Sequence, residues 1–220
     1  MKKTIIVVCL LLSAFSLSAI PLDITLGAGV KASNVKEPTV TFNVGIAVNN
    51  FDIYVEQLGL TSTQLSASYS IINNKTLRQE LLLINNYTYK TGFYSLFDYF
   101  IGQDFITRYF YFKYRFGLQG GLNYPLGATN VQFTISPNLL LDMGITIQGF
   151  TLGVQGSMGY FKEASLQTLP IITLYISYDF PSFLIKLDAD FQSINYTFDR
   201  YPALASIAGR LSCTIKGEKK

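Results

Sequence analysis

The side chains with chemistry to offer are charged residues spaced two apart. Arg78 precedes Glu80, Lys113 precedes Arg115, and Lys186 precedes both Asp188 and Asp190, while Lys31 and Arg210 stand singly in similar surroundings. In an extended segment a spacing of two puts both side chains on one face, so each set must project together. Where such a face lines a pore, charges of mixed sign filter solutes by size and charge. Where it closes an interior, the same charges make a ladder of cross-strand ion pairs. Other chemistry is poorly supplied. The chain contains no His, which removes the commonest general base and the commonest metal ligand. Asp188 and Asp190 as an acid pair or metal site are disfavoured by Lys186 beside them. No catalytic, cofactor-binding or metal-ligating residue is assigned, although Ser-Lys or Asp-only chemistry stays open. Gly27-Ala28-Gly29 and Gly117 to Gly121 are not phosphate loops, because no helix follows them; inside strands, inward glycines admit bulky neighbours.

Composition narrows the class further. Among 220 residues, 17 are Lys or Arg and 14 are Asp or Glu, so charged residues make up 14%, against about 25% in an average soluble domain. A formal charge of +3 with no basic stripe gives no reason to expect a nucleic-acid partner. The two cysteines, Cys9 and Cys213, cannot build a disulfide framework. Lys2 and Lys3, the apolar stretch Ile5 to Leu12 and the small-residue end Ser13 to Ala19 have the three parts of a secretory signal, which predicts cleavage after Ser18 or Ala19. Beyond it no apolar run approaches the ~18–20 residues of a spanning helix.

The elements that must position the charges are strands. From Leu22 the even positions read Leu22, Ile24, Leu26, Ala28 and Val30, against Asp23, Thr25, Gly27, Gly29 and Lys31. That period of two is the mark of a strand with one apolar face. Val40, Phe42, Val44, Ile46 and Val48 repeat it, Asn49-Asn50 supplies a tight turn, and Phe51, Ile53 and Val55 return. The pattern recurs through Phe110 to Gln119, Val131 to Ile147, Phe150 to Tyr160, Ile172 to Phe180, Phe183 to Gln192 and Ser206 to Lys216. Twelve strands are expected, at 22–33, 38–48, 51–59, 63–72, 76–90, 93–101, 105–119, 131–147, 150–161, 170–180, 183–198 and 204–216. The 63–101 region is the least regular, with Gln79 and Asn85 on the apolar face and 95–98 readable as loop, so ten or eight strands are the alternatives. No linker divides residues 20–220, which form one domain.

Two features decide where the apolar face points. Ten or more alternating strands carry far more Leu, Ile, Val and Phe than a small closed interior can hold. The polar face is mostly Gly, Ser, Thr, Asn, Gln and Tyr, whereas a solvated exterior carries more Lys and Glu. Both favour lipid outside and polar residues within. Tyr87, Tyr89, Tyr109, Tyr124, Tyr160, Phe180, Phe183 and Tyr196, near segment ends, suit aromatic girdles at the two membrane interfaces.

An export signal followed by alternating hairpins with short turns resembles the small outer-membrane β-barrel proteins of diderm bacteria, a class that includes compact diffusion channels and barrels of the OmpA and OmpW kind. The resemblance implies an all-β, closed, antiparallel up-and-down transmembrane barrel. It implies outer-membrane lipid and the export and barrel-insertion machinery as partners, and no enzyme activity, since barrel enzymes of this class tend to use His with Ser or Asp. One departure stands out: such chains often end in an aromatic residue, whereas this one ends Cys213-Thr214-Ile215-Lys216-Gly217-Glu218-Lys219-Lys220. The function expected is a passive, porin-like channel for small hydrophilic solutes, with Lys31, Arg78, Glu80, Lys113, Arg115, Lys186, Asp188, Asp190 and Arg210 facing the lumen. Near-balanced lumen charge predicts weak ion selectivity. The alternatives are a non-conducting structural or host-contact barrel, and a secreted soluble ligand-binding barrel with its apolar face inward.

Overall fold

The computed structural model describes residues 22–33, 36–74, 77–89, 92–127, 131–159, 171–194 and 203–217. The expected signal at 1–19 and the girdle positions Tyr160 and Tyr196 lie outside them. Twelve strands run in chain order: β1 Leu22–Ser33, β2 Lys36–Val48, β3 Phe51–Leu58, β4 Ser62–Asn73, β5 Arg78–Thr88, β6 Gly92–Ile106, β7 Phe110–Pro125, β8 Gln132–Ile147, β9 Phe150–Gly159, β10 Ile171–Asp179, β11 Phe183–Ile194 and β12 Ala203–Ile215. Each pairs antiparallel with its neighbours in sequence, and β1 pairs with β12 from Ile24↔Ile215 to Ser33↔Ser206, closing the barrel. Closure leaves no open sheet edge, so every strand finds its backbone partners within the wall.

Register fixes the faces. Leu26 pairs with Val44 and Cys213, Val44 with Val55, and Val55 with Leu65, so apolar side chains meet apolar ones on this part of the outside, until Leu65 meets Asn85 on β5. Leu174, Ile176, Phe116 and Phe133 are between 42% and 65% exposed on that outer wall. Buried side chains are mostly polar, among them Thr41, Asn43, Asp98, Arg115, Gln119 and Asp188. This inverts the pattern of a soluble barrel, whose apolar face fills its core, and overturns the secreted ligand-binding alternative.

One end of the barrel is closed by short connections. Asn49 and Gln148 adopt positive φ (53° and 50°), and Gly149 follows at 84°, the geometry of a two-residue hairpin turn. Thr107 to Tyr109 and Phe180 to Ser182 complete turns at this end, which also carries the start of β1 and the end of β12. Phe51, Phe110, Phe150 and Phe183 each open the strand leaving one of these turns, all with outward parity. Phe180 stacks on Phe183 at 4.3 Å between ring centroids. At the opposite end Tyr87 packs edge-on to Tyr89.

The irregular middle of the chain differs from the expected spans at one hairpin. β6 continues through Gly102, Gln103 and Asp104 to Ile106, and β7 starts at Phe110 and continues to Pro125, so the turn lies at 107–109 and not near 102–104. Residues 95–98 are strand. Gln79 and Asn85 do fall on the outer face, where Asn85 pairs with Ser95. β12 ends on Ile215, and the chain continues past it.

Candidate functional site

The inner wall is assembled from alternate residues of all twelve strands, and its longest side chains meet in two networks. The first spans β11, β12 and β3. Arg210 donates through Nε to Asp188 at 2.8 Å, pairs with Asp190, and reaches Glu56 at 3.7 Å. The arm of Arg210 crosses β1 at Gly29, with which it is paired in register; a Cβ there would meet Arg210 Cγ at 2.8 Å. Thr173 donates to Asp190 at 2.6 Å, and Lys186 stands 3.8 Å from Asp188.

That network continues through aromatic rings to β7. Lys186 lies over the ring of Tyr175 and Lys113 over that of Tyr111, with the ammonium 4.7 and 4.9 Å from the ring centres. Tyr175 donates its hydroxyl hydrogen to Asp142 at 2.6 Å and meets the hydroxyl of Tyr111; Lys113 donates to the second oxygen of Asp142 at 3.2 Å. The Tyr111 and Tyr175 rings converge over Gly144 and Gly153, where no side chain intervenes.

The second network is on β5, β6 and β7. Asp104 accepts from Arg78 at 2.9 Å and faces Arg115 at 2.7 Å, while Glu80 lies 3.4 Å from Arg115. Arg115 also donates to the main-chain oxygens of Gln103 and Tyr114. Six residues before Asp104 on the same face of β6, Asp98 accepts a bond from Asn138 at 3.0 Å.

Arg78, Glu80, Lys113, Arg115, Lys186, Asp188, Asp190 and Arg210 are therefore brought into these networks. Lys31 has the inward parity of Gly27 and Gly29 on β1, and no described carboxylate pairs with it. The register also turns inward a set of acids that the two-apart spacing did not single out: Asp23, Asp52, Glu56, Asp98, Asp104 and Asp142. Glu56 and Asp142 could be found from parity alone, since each alternates with apolar outward neighbours. Asp104 and Asp98 depend on the true extent of β6. Asp179, also inward, is neutralised by Lys216 at the rim. Leaving aside that pair, and Lys36 and Glu37 where the register of β2 shifts, nine inward carboxylates face six inward basic side chains on the described strands. The near balance expected from the sequence is thus replaced by an acidic excess. Among the described residues no group of three or more metal-ligating side chains is arranged to hold an ion.

The networks run along the wall and not across it. Their longest reaches, Arg210 on β12 to Glu56 on β3 and Tyr111 on β7 to Tyr175 on β10, span three places round the ring, half of what separates opposite walls.

No family model matches the sequence, and no curated protein does. Solved structures do match in fold. The chain superposes on the NanC porin with a TM-score of 0.60 at 10% identity, covering 88% of this chain and 99% of that one. The KdgM porin in complex with disordered oligogalacturonate gives 0.54 at 10% identity, over 89% and 99%. The translocator domain of the autotransporter NalP from Neisseria meningitidis gives 0.54 at 11% identity, over 97% and 95%. All are bacterial outer-membrane β-barrels, and this chain shares their closed antiparallel architecture.

Proposed function

We propose that the protein is an integral barrel of the bacterial outer membrane, delivered by the export signal at 1–19 and the barrel-insertion machinery, and that it is a passive channel for small hydrophilic solutes. The observation that carries the reading is the arrangement of the wall: apolar outside, polar inside, with charged side chains bonded along the lining. Eight-stranded barrels have interiors just filled by side chains and sixteen-stranded ones enclose an aqueous channel, so twelve strands with side chains laid along the wall leave a narrow path. Short turns beside both chain ends correspond to the periplasmic side of such barrels. The inward charges Lys31, Arg78, Glu80, Lys113, Arg115, Lys186, Asp188, Asp190 and Arg210 contribute to the lining that a solute meets. Oligogalacturonate, present in the KdgM complex, is itself polyanionic and is not proposed as the solute for a lining with excess carboxylates.

The competing reading is a non-conducting structural or host-contact barrel, which the same ion-pair ladders would serve by stiffening the wall. Planar-bilayer recording separates them. A channel gives discrete conductance steps, and the double replacement Lys113→Ser with Arg115→Ser changes their size or selectivity. Folded protein with no conductance, or a conductance indifferent to that replacement, leaves the structural reading.

A further inference from the structure

A pore whose lining is unbalanced in charge passes ions of one sign more readily. Of the inward basic side chains, Arg78, Lys113, Arg115, Lys186 and Arg210 each stand within 2.7–3.8 Å of at least one carboxylate. Their charge is already answered within the wall. Asp23 and Asp52 are in the opposite condition. Asp23 accepts from the backbone of Gly217 at 2.8 Å and Asp52 from the hydroxyl of Ser68 at 3.2 Å, and no described cation pairs with either. Both lie at the short-turn mouth, on β1 and β3, level with Ala47 of the strand between them. Neither is buried. Two uncompensated carboxylates therefore flank one entrance, while Lys31 is the unpaired inward strand charge on the basic side; Arg108, in the 107–109 turn at that entrance, pairs with no described carboxylate and lies over the ring of Tyr109, outside the strand lining.

We propose that the lumen favours cations over anions, so that the solutes it passes are small, hydrophilic, and neutral or cationic. This rests on the channel reading. The preference comes from the sign of the lining as a whole and needs no fixed cation site. An ion about 7 Å from an unbalanced carboxylate, in water-like surroundings at ~0.15 M salt, is enriched or depleted about 1.5-fold according to its sign. The cation-to-anion ratio thus gains about twofold per carboxylate, and about fourfold from Asp23 and Asp52 together.

The test is the reversal potential of the folded protein in a planar bilayer under a KCl gradient, beside the swelling of vesicles in an uncharged sugar. Wild-type protein should show a K⁺-to-Cl⁻ permeability ratio of about two or more, the roughly twofold opposition of Lys31 being set against the roughly fourfold gain from Asp23 and Asp52. Asp23→Asn with Asp52→Asn should lower that ratio about fourfold, and Lys31→Gln should raise it about twofold. Folding of each variant is read independently from heat-modifiable gel migration, and the two mouth carboxylates and Lys31 serve as separate routes to the same quantity. A wild-type ratio at or below one overturns the preference, as does a ratio that stays put in both folded variants. If vesicles swell in sugar while the ratio is at or below one, the channel stands and the cation preference falls. If neither swelling nor conductance is seen, the channel reading fails and the preference with it.

Discussion

Placing an arginine at Leu174 tests the orientation of the wall more directly than any other change. Leu174 is near the middle of β10, 49% exposed, and its register partners are Val154 and Ala189, both on the outer face. If the outer face meets hydrocarbon, Leu174→Arg must drag a guanidinium into the bilayer, at a cost of about 2–4 kcal/mol near the midplane. That corresponds to a drop of about 30- to 700-fold in the folded-to-unfolded ratio. The control is Gln155→Arg on β9, which points inward beside Asp142 and Thr173. There a cation meets a carboxylate-rich, hydrated lining and should change stability by less than about 1 kcal/mol. The assay is reversible folding into phosphatidylcholine vesicles with guanidinium, followed by far-ultraviolet circular dichroism because the chain has no Trp. A surface facing water would give the reverse ranking, since exposed substitutions there usually stay within about 0.5 kcal/mol. A cost for Leu174→Arg below that level in vesicles, or a larger cost at Gln155, refutes the assignment of faces.

Three further outcomes follow from the lining and the wall. Gly153→Val adds a β-branched residue that a strand would ordinarily welcome, but here it displaces the converging ends of Tyr111 and Tyr175; vesicle unfolding should show a loss of about 2–4 kcal/mol from crowding and broken hydrogen bonds. Arg210→Gln leaves Glu56, Asp188 and Asp190 without their shared guanidinium, and with the arginine a fifth exposed the cost should be about 1–3 kcal/mol, smaller at high salt; Arg210→Lys should recover little because an ammonium cannot fork between carboxylates. Cys213 faces outward between Leu26 and Ile185, so a charged maleimide should label it after unfolding and much more slowly in vesicles; equal rates in both states would contradict the lipid-facing placement.

The strand order was legible because period-two alternation survives wherever one face meets a uniform solvent, whether lipid or water. Leu22 to Lys31 and Phe183 to Gln192 carry that alternation with hardly a break, and their spans agree with the structure to within a few residues. The β6–β7 hairpin was misplaced because Gly102, Gln103 and Asp104 read locally as a turn. Gly102 is inward beneath Arg115, Gln103 is outward where it accepts a bond from Tyr114, and Asp104 is anchored by two arginines. Each of those partners is on another strand, so the information that makes the segment extended is not local. The same reason hid the acidic excess: pairs such as Lys186 and Asp188 announce themselves by spacing, whereas Asp23 and Asp52 are recognisable as neighbours only once β1, β2 and β3 are aligned.

Glycine placement links the wall's construction to the proposed channel. A long side chain rising from a barrel wall narrows the interior unless it lies down, and a neighbour without a side chain gives it room to do so. Arg210 does so at Gly29, Arg115 at Gly102, and Tyr111 at Gly144 and Gly153. The inward glycines of β1, read from the sequence as room for bulky neighbours, thus have named occupants. The same contacts that hold a cation against the wall also direct it to carboxylates on adjoining strands, which cancels its charge toward the axis. Carboxylates are shorter and need no such accommodation, so those beyond the reach of a reclining arginine or lysine keep their charge facing the lumen. Filling Gly29 with a side chain would press on the carbonyl of Gly209 as well as on Arg210, so the β1–β12 seam must shift while Arg210 is lifted from the wall, narrowing the path and turning a guanidinium toward it. Gly29→Ala should therefore reduce both unit conductance and cation preference, and bilayer recordings in which it changed neither would break the connection between the glycines and the lumen.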